Sequence, residues 1–208
     1  MRRRQRTVLV TGFEPFDGAA TNPSGLAARA LDGRTIAGRR VVGAVLPVTF
    51  GDAIAALGAQ LRATRPELVI CTGLADARGE LSIERVAINV DDARIPDNAG
   101  ARPIDRAIAR RGPVGYWSTL PIKSIAAALS RAHVPAAISQ TAGTFVCNHV
   151  FYGLMRALAR RRGVRGGFIH VPPVRRLALA TIVDGLAVAI ATALRTRRDA
   201  RIAAGAVS

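Results

Sequence analysis

Cys147 is the residue around which chemistry can be organised. It lies in Ala142-Gly143-Thr144-Phe145-Val146-Cys147-Asn148-His149, between a short apolar run, Ala136 to Ile138, and a helical pattern that begins near Asn148. A thiol at a turn from strand to helix meets unpaired N–H groups and the positive end of a helix dipole. Such a thiol is expected to ionise more easily than a free one, and the same N–H groups can hold a negative oxygen. That is half of an acyl-transfer site. The competing reading is a small buried apolar residue, the usual situation of a free cysteine.

A cysteine nucleophile needs a base to take its proton and return it to the leaving group. Of the three histidines, His133 falls in a polar loop and is expected to be exposed. His149, two residues from Cys147 on the same helix, cannot face it and reads as a local hydrogen-bonding group. His170 ends the apolar run Gly167-Phe168-Ile169-His170-Val171 and is the best base. A third group should fix its tautomer. Glu84 qualifies, because alternation along Leu81 to Val90 sets it on the apolar face of Val86 and Ile88, where a carboxylate needs a partner. That partner could equally be an arginine. Glu14, Asp91, Asp92 and Asp97 read as solvated loop residues. Phe13 and Phe16, in the loop after the first strand, suggest an apolar slot for a flat, uncharged ring.

The elements that must carry these residues follow from patterning. Strands are expected at Thr7–Thr11, Val41–Val48, Glu67–Cys71, Leu81–Val90, Ala136–Ile138 and Gly167–Val171. Helices are expected after the cap pair Asn22-Pro23 and over Asp52–Thr64, Ile122–Arg131, Asn148–Arg161 and Leu177–Arg195. Alternating strands and helices give an α/β fold with a largely parallel sheet between helical layers, in which functional loops gather at strand ends.

The chain has 208 residues, half of them apolar, which is enough for one domain with its own core. The expected organisation is a single domain over 1–208, with a basic N-terminal tail at 1–6 and a C-terminal tail from about 197. Two cysteines provide no disulfide framework, and Cys71 sits in an apolar strand, which suits a reducing, cytoplasmic setting. The basic start lacks a signal-peptide cleavage site. Leu177–Leu194 has Asp184 and Gly185 at its centre and reads as an amphipathic helix rather than a membrane span. The net charge of +16 raises a polyanion partner. With aromatics at 4%, stacking platforms for nucleic acid are scarce, and a solvated basic surface is the simpler reading.

Several segments together resemble pyroglutamyl peptidase I, the pyrrolidone carboxyl peptidase family of cysteine peptidases. They are Thr11-Gly12-Phe13-Glu14-Pro15-Phe16, Asn22-Pro23-Ser24, Ser82 to Asn89, Asp92 to Asn98, Ser118 to Lys123, Thr141 to His149 and Gly167 to Pro172. The resemblance runs from about Val8 to Leu194. It implies a three-layer α/β/α sandwich, a cytoplasmic location, a homo-oligomer (tetramer or dimer), and neither metal nor cofactor. The implied reaction releases an N-terminal pyroglutamyl residue from peptides through a thioester. The implied catalytic set is Cys147, His170 and Glu84. The implied substrate-binding set is Phe13, Phe16, Phe145, Val146, Asn22 and Arg94.

Two departures stand out. Gly73-Leu74-Ala75-Asp76-Ala77-Arg78 replaces the family's usual Gly-Gln-Ala-Gly-Gly-Arg, which removes an amide near the substrate ring. The segment after His170 is short. They leave room for an inactive relative that binds polyanions, or for an acyl-hydrolase of another small cyclic amide.

Overall fold

The computed structural model describes residues 6–161 and 163–204. The basic run Arg2 to Arg4, Arg162 and the end of the C-terminal tail lie outside the described residues. In chain order the elements are β1 (Thr7–Phe13), α1 (Pro23–Leu31), β2 (Thr35–Ile36), β3 (Arg39–Leu46), α2 (Ala53–Thr64), β4 (Leu68–Leu74) and β5 (Leu81–Glu84). There follow β6 (Val86–Ile88), β7 (Gly115–Trp117), α3 (Ile122–Arg131), β8 (Ala136–Ser139), α4 (Val146–Leu158), β9 (Arg165–Val171) and α5 (Leu179–Arg195).

Seven strands form one sheet in the order β2-β3-β1-β4-β9-β5-β8. The pairs β1–β3, β1–β4, β4–β9 and β5–β8 are parallel. The pairs β2–β3 and β5–β9 are antiparallel. The central strands are buried on both faces, which is why they read as continuous apolar runs. One face carries Val8, Val10, Leu68, Ile70 and Ile169 against α1, α3 and α5. Alternate residues, among them Leu9, Val69, Cys71 and Phe168, pack against α2 and α4. The result is the mostly parallel α/β/α sandwich that the patterning implied.

Three expectations change. The single strand over Leu81–Val90 is two strands, broken at Arg85. Leu81–Glu84 belongs to the large sheet, while Val86–Ile88 pairs with the unanticipated β7 in a separate two-stranded sheet. The break occurs because the Arg85 backbone bonds elsewhere: its N–H donates to Ser139 O and its carbonyl accepts from Ser118 N. The helix that carries Cys147 starts at Val146 rather than Asn148. The C-terminal segment packs back on the fold: Asp199 accepts from the N–H groups of Lys123 and Ser124, capping α3, which lacks a side-chain cap of its own.

Much of the positive charge has a structural use. Every helix carries an arginine in its last turn, namely Arg29, Arg62, Arg131, Arg156 and Arg195, where it meets the negative end of the dipole. A recess of about 410 Å³ is lined by Arg6, Arg39, Arg165, Arg197 and Glu67. Its guanidiniums are largely spent within the protein. Arg6 and Arg39 pair with Glu67, and Arg165 donates to the carbonyls of Thr196 and Ala193 at the end of α5. Among the described residues no helix is long and apolar enough to cross a membrane.

Asn148 joins α4 to the small sheet. Its Nδ2 donates to Ile88 O and Val90 O, and its Oδ1 accepts from Ile88 N. The side chain is fully buried. Asn148→Ala strands these backbone groups away from water and should cost about 3 kcal/mol. The measurement is the urea midpoint, at unchanged denaturant slope.

Candidate active site

His170 is the next-to-last residue of β9, opposite Ser82 of antiparallel β5. Side chains two apart share a face, so Glu84 lies diagonally beneath His170 on the face covered by α4. The Nδ1–H of His170 donates to Oε1 of Glu84 at 2.7 Å. This fixes the tautomer and leaves Nε2 as the basic nitrogen. Glu84 is completely buried and His170 is 5% exposed. The same Oε1 accepts from Nη1 of Arg78, also at 2.7 Å. Glu84 therefore has both the histidine and the arginine that its sequence context left open. Val86 and Ile88 belong to another sheet, so the shared-face argument that selected Glu84 fails even though the residue is well placed.

On its other side His170 faces Gly73 of β4 in parallel register. A Cβ on Gly73 would lie 2.6 Å from Sγ of Cys147 and 2.9 Å from the ring of Phe168. The missing side chain at Gly73 is thus the space the sulfur fills. Adjacent strands are about 4.8 Å apart, so the sulfur sits roughly one strand spacing from the His170 backbone. Among the described residues no hydrogen bond joins the sulfur to His170 in this conformation.

The expectation of an easily ionised thiol is corrected. Burial, with the Glu84 carboxylate adding to it, pushes the Cys147 thiol up to about 12, while Arg78 pulls the other way. The closeness of an anion and the poor hydration of the cavity floor outweigh the helix terminus. No side chain caps α4. The N–H groups of Val146 and Cys147, which have no intrahelical acceptor, remain available to a ligand at its first turn.

Cys147 and His170 open onto a cavity of about 220 Å³ whose walls include Phe13, Phe16, Leu74, Phe145 and Val146. Phe145 is braced by Phe50, ring edge to face at 5.4 Å, and meets Phe16 at 6.1 Å.

A family model described as Pyroglutamyl peptidase matches residues 6–197. The chain belongs to the pyroglutamyl peptidase family. The pyrrolidone-carboxylate peptidase of Cupriavidus taiwanensis is 56% identical over 207 residues, covering 94% of this chain and 96% of the relative. That of Klebsiella pneumoniae is 51% identical, covering 96% and 98%. Among solved structures, pyroglutamyl peptidase I from Bacillus amyloliquefaciens superposes with a TM-score of 0.91 at 40% identity, covering 94% of this chain and all of that one. The pyrrolidone carboxyl peptidase of Thermococcus litoralis gives 0.92 at 34%, covering 96% and 100%.

Within this family fold the remaining candidate residues fall in different places. Phe13 is not an exposed loop residue but the buried end of β1. Asn22 borders the cavity, yet its bonds are internal. Its Oδ1 accepts from Ser24 N and Oγ, and its Nδ2 donates to Glu14 O. Arg94 is exposed and outside the cavity. It lines an adjoining groove of about 510 Å³ that shares Phe16, Leu74, Thr144 and Phe145 with it. His133 is exposed, as its loop context implied. His149 and Asp91 are corrected: both are buried, and Nδ1 of His149 bonds Oδ2 of Asp91 at 2.8 Å. Asp97 is likewise buried, accepting from Phe50, Ala99 and Ala101 N–H groups. Sequence reasoning missed Gly73, Phe50 and Arg78. Arg78 lay in a quoted segment that was read only for Leu74.

The native protein should react with a disulfide reagent at one thiol, Cys147, and at two once unfolded. Both thiols are pushed up to about 12 by burial, but Cys71 is fully buried in the sheet while Cys147 borders the open cavity, so only Cys147 is within reach of a reagent. Titration with and without denaturant checks this.

Proposed function

We propose that the chain is a cysteine exopeptidase that hydrolyses the N-terminal pyroglutamyl residue from peptides, with Cys147 as nucleophile, His170 as general base and acid, and Glu84 as the group that orients the imidazole. The observation that carries the reading is the Glu84–His170 hydrogen bond, with the Cys147 sulfur lodged over Gly73 on the strand next to His170. Family membership supports it.

The thiol is neutral in the resting site, so its proton leaves as substrate binds rather than beforehand. Nε2 of His170 takes the proton while sulfur attacks the pyroglutamyl carbonyl carbon, and the developing oxyanion is held by the first-turn N–H groups of α4. The imidazolium, its charge offset by Glu84, gives its proton to the departing amine. Water then attacks the thioester, deprotonated by the same imidazole, and Cys147 leaves as the thiol.

The walls suit this substrate. A lactam ring carries no ammonium group, so a slot lined by Phe13, Phe16, Phe145 and Val146 need not solvate a charge. An ordinary free N-terminus would bury one at a cost of several kcal/mol. Leu74 makes one wall hydrocarbon where a side-chain amide is usual in the family, so ring polarity must be met by the backbone. Asn22 contributes by holding Ser24 and the Glu14 carbonyl, which fixes the loop carrying Phe16. Arg94, which lines the adjoining groove, would meet the peptide beyond the scissile bond.

The test is release of a fluorogenic amine from its pyroglutamyl derivative. Cys147→Ala should lower kcat by about 10⁴-fold or more, and Glu84→Gln by about 100-fold with little change in KM. Equal rates for wild type and Cys147→Ala would remove the reading. Gly73→Ala should also lower kcat by about 100-fold, because the new methyl displaces the sulfur by roughly an ångström. Circular dichroism should show the fold retained.

A further inference from the structure

Glu84 presents an electrostatic problem that the triad alone does not solve. Its side chain is fully buried, and its Oε2 has no hydrogen-bond partner among the described residues. His170 supplies one N–H to Oε1. A fully buried carboxylate is costly to hold in place unless a second donor and an opposing charge meet it. The structure supplies a cation at this point. Arg78, half-buried on the loop between β4 and β5, places Nη1 2.7 Å from Oε1 of Glu84 and Nη2 3.1 Å from the carbonyl of Thr141. Thr141 opens the segment that leads through Gly143 to Cys147.

We propose that Arg78 is a positioning residue of the catalytic centre, spanning Glu84 and the Thr141 carbonyl so that the buried carboxylate is opposed by a cation and aimed at His170 and the nucleophile segment stays in place over it. The proposal rests on the assignment of Cys147, His170 and Glu84 as the reacting set. Its fork geometry requires arginine: one guanidinium reaches a carboxylate on β5 and a carbonyl beyond β8 at once, which an ammonium cannot do with the same directionality.

The other charged groups nearby do not substitute. Arg85, next to Glu84, turns away to Gln140 and the Ala204 carbonyl. Asp76, on the same loop as Arg78, pairs with Arg175 at the surface. The titratable groups facing the thiol are therefore Glu84, His170, Cys71 and Arg78. Of these Arg78 carries the permanent positive charge, and it opposes the upward push of burial and Glu84 on Cys147.

The test is the rate of iodoacetamide alkylation of Cys147 at pH 8 in the wild type, Arg78→Gln and Arg78→Lys. Cys71 is fully buried, so labelling reports Cys147. Gln keeps a hydrogen-bond donor and removes the charge. Alkylation should slow about tenfold, the factor of a one-unit rise in thiol pKa. kcat should fall in the same variant, because the carboxylate that orients His170 loses its opposing charge. Arg78→Lys should alkylate within about threefold of wild type but show a lower kcat.

A merely structural Arg78 would leave the cavity mouth wider in Arg78→Gln. The thiol would then label at the wild-type rate or faster, and that result overturns the proposal. Labelling needs no substrate, so the two readings separate. Slowed labelling in a chain that cleaves no pyroglutamyl amide upholds the hold of Arg78 on the Glu84–Cys147 cluster and removes the peptidase reading. Unchanged labelling in an active peptidase removes only the role of Arg78.

Discussion

The site depends on one buried carboxylate oxygen. Oε1 of Glu84 receives the imidazole N–H of His170 and the guanidinium of Arg78 at the same distance. A charge in that position is tolerable only when opposed by another charge and satisfied by hydrogen bonds. Once both donors are in place, the imidazole cannot rotate without breaking the set, and its basic nitrogen is left for the thiol. The reversal of β5 against β9 makes this possible. It brings the end of one strand down beside the middle of the next, so Glu84 lies beneath His170 instead of beside it at the rim.

The Cys147 sulfur is placed by subtraction. Gly73 has no side chain, and the sulfur occupies the volume a methyl would fill. A sulfur set that closely over a strand is poorly hydrated, and the neighbouring carboxylate further disfavours a thiolate. In the proposed mechanism the thiol is therefore neutral beside an oriented base, and its proton would leave only as an electrophile arrives. In that mechanism the helix terminus would serve the oxyanion more than the resting sulfur, because its first-turn N–H groups have no side-chain cap.

Charge is distributed by the same architecture. Among the described residues an arginine closes the carbonyl end of each helix, and those lining the recess beside Glu67 are mostly engaged by the protein itself. A net charge of +16 is thus compatible with a peptidase fold and does not by itself require an anionic partner. The cavity next to Cys147 is hydrocarbon on most of its wall, which matches a ligand end without charge.

Some of this was legible in the chain alone. Continuous apolar strands, the Asn22-Pro23 cap, and helical periodicity around α2, α3 and α5 determined the α/β class, because local patterning reports burial directly. Cys147 and His170 could be singled out because each residue type is reactive where the pattern put it, whereas the pattern behind Glu84, a face shared with Val86 and Ile88, does not exist in the folded chain. What only the tertiary structure decided were relations between distant segments. The break at Arg85 depends on hydrogen bonds to Ser118 and Ser139. The burial of Asp91 depends on His149, 58 residues away. Gly73 matters only through a sulfur that arrives from another element, and Arg78 only through a carboxylate on the next strand. Periodicity shows which face a residue takes; it carries no information about what stands opposite, and the electrostatics of this site are set entirely by what stands opposite.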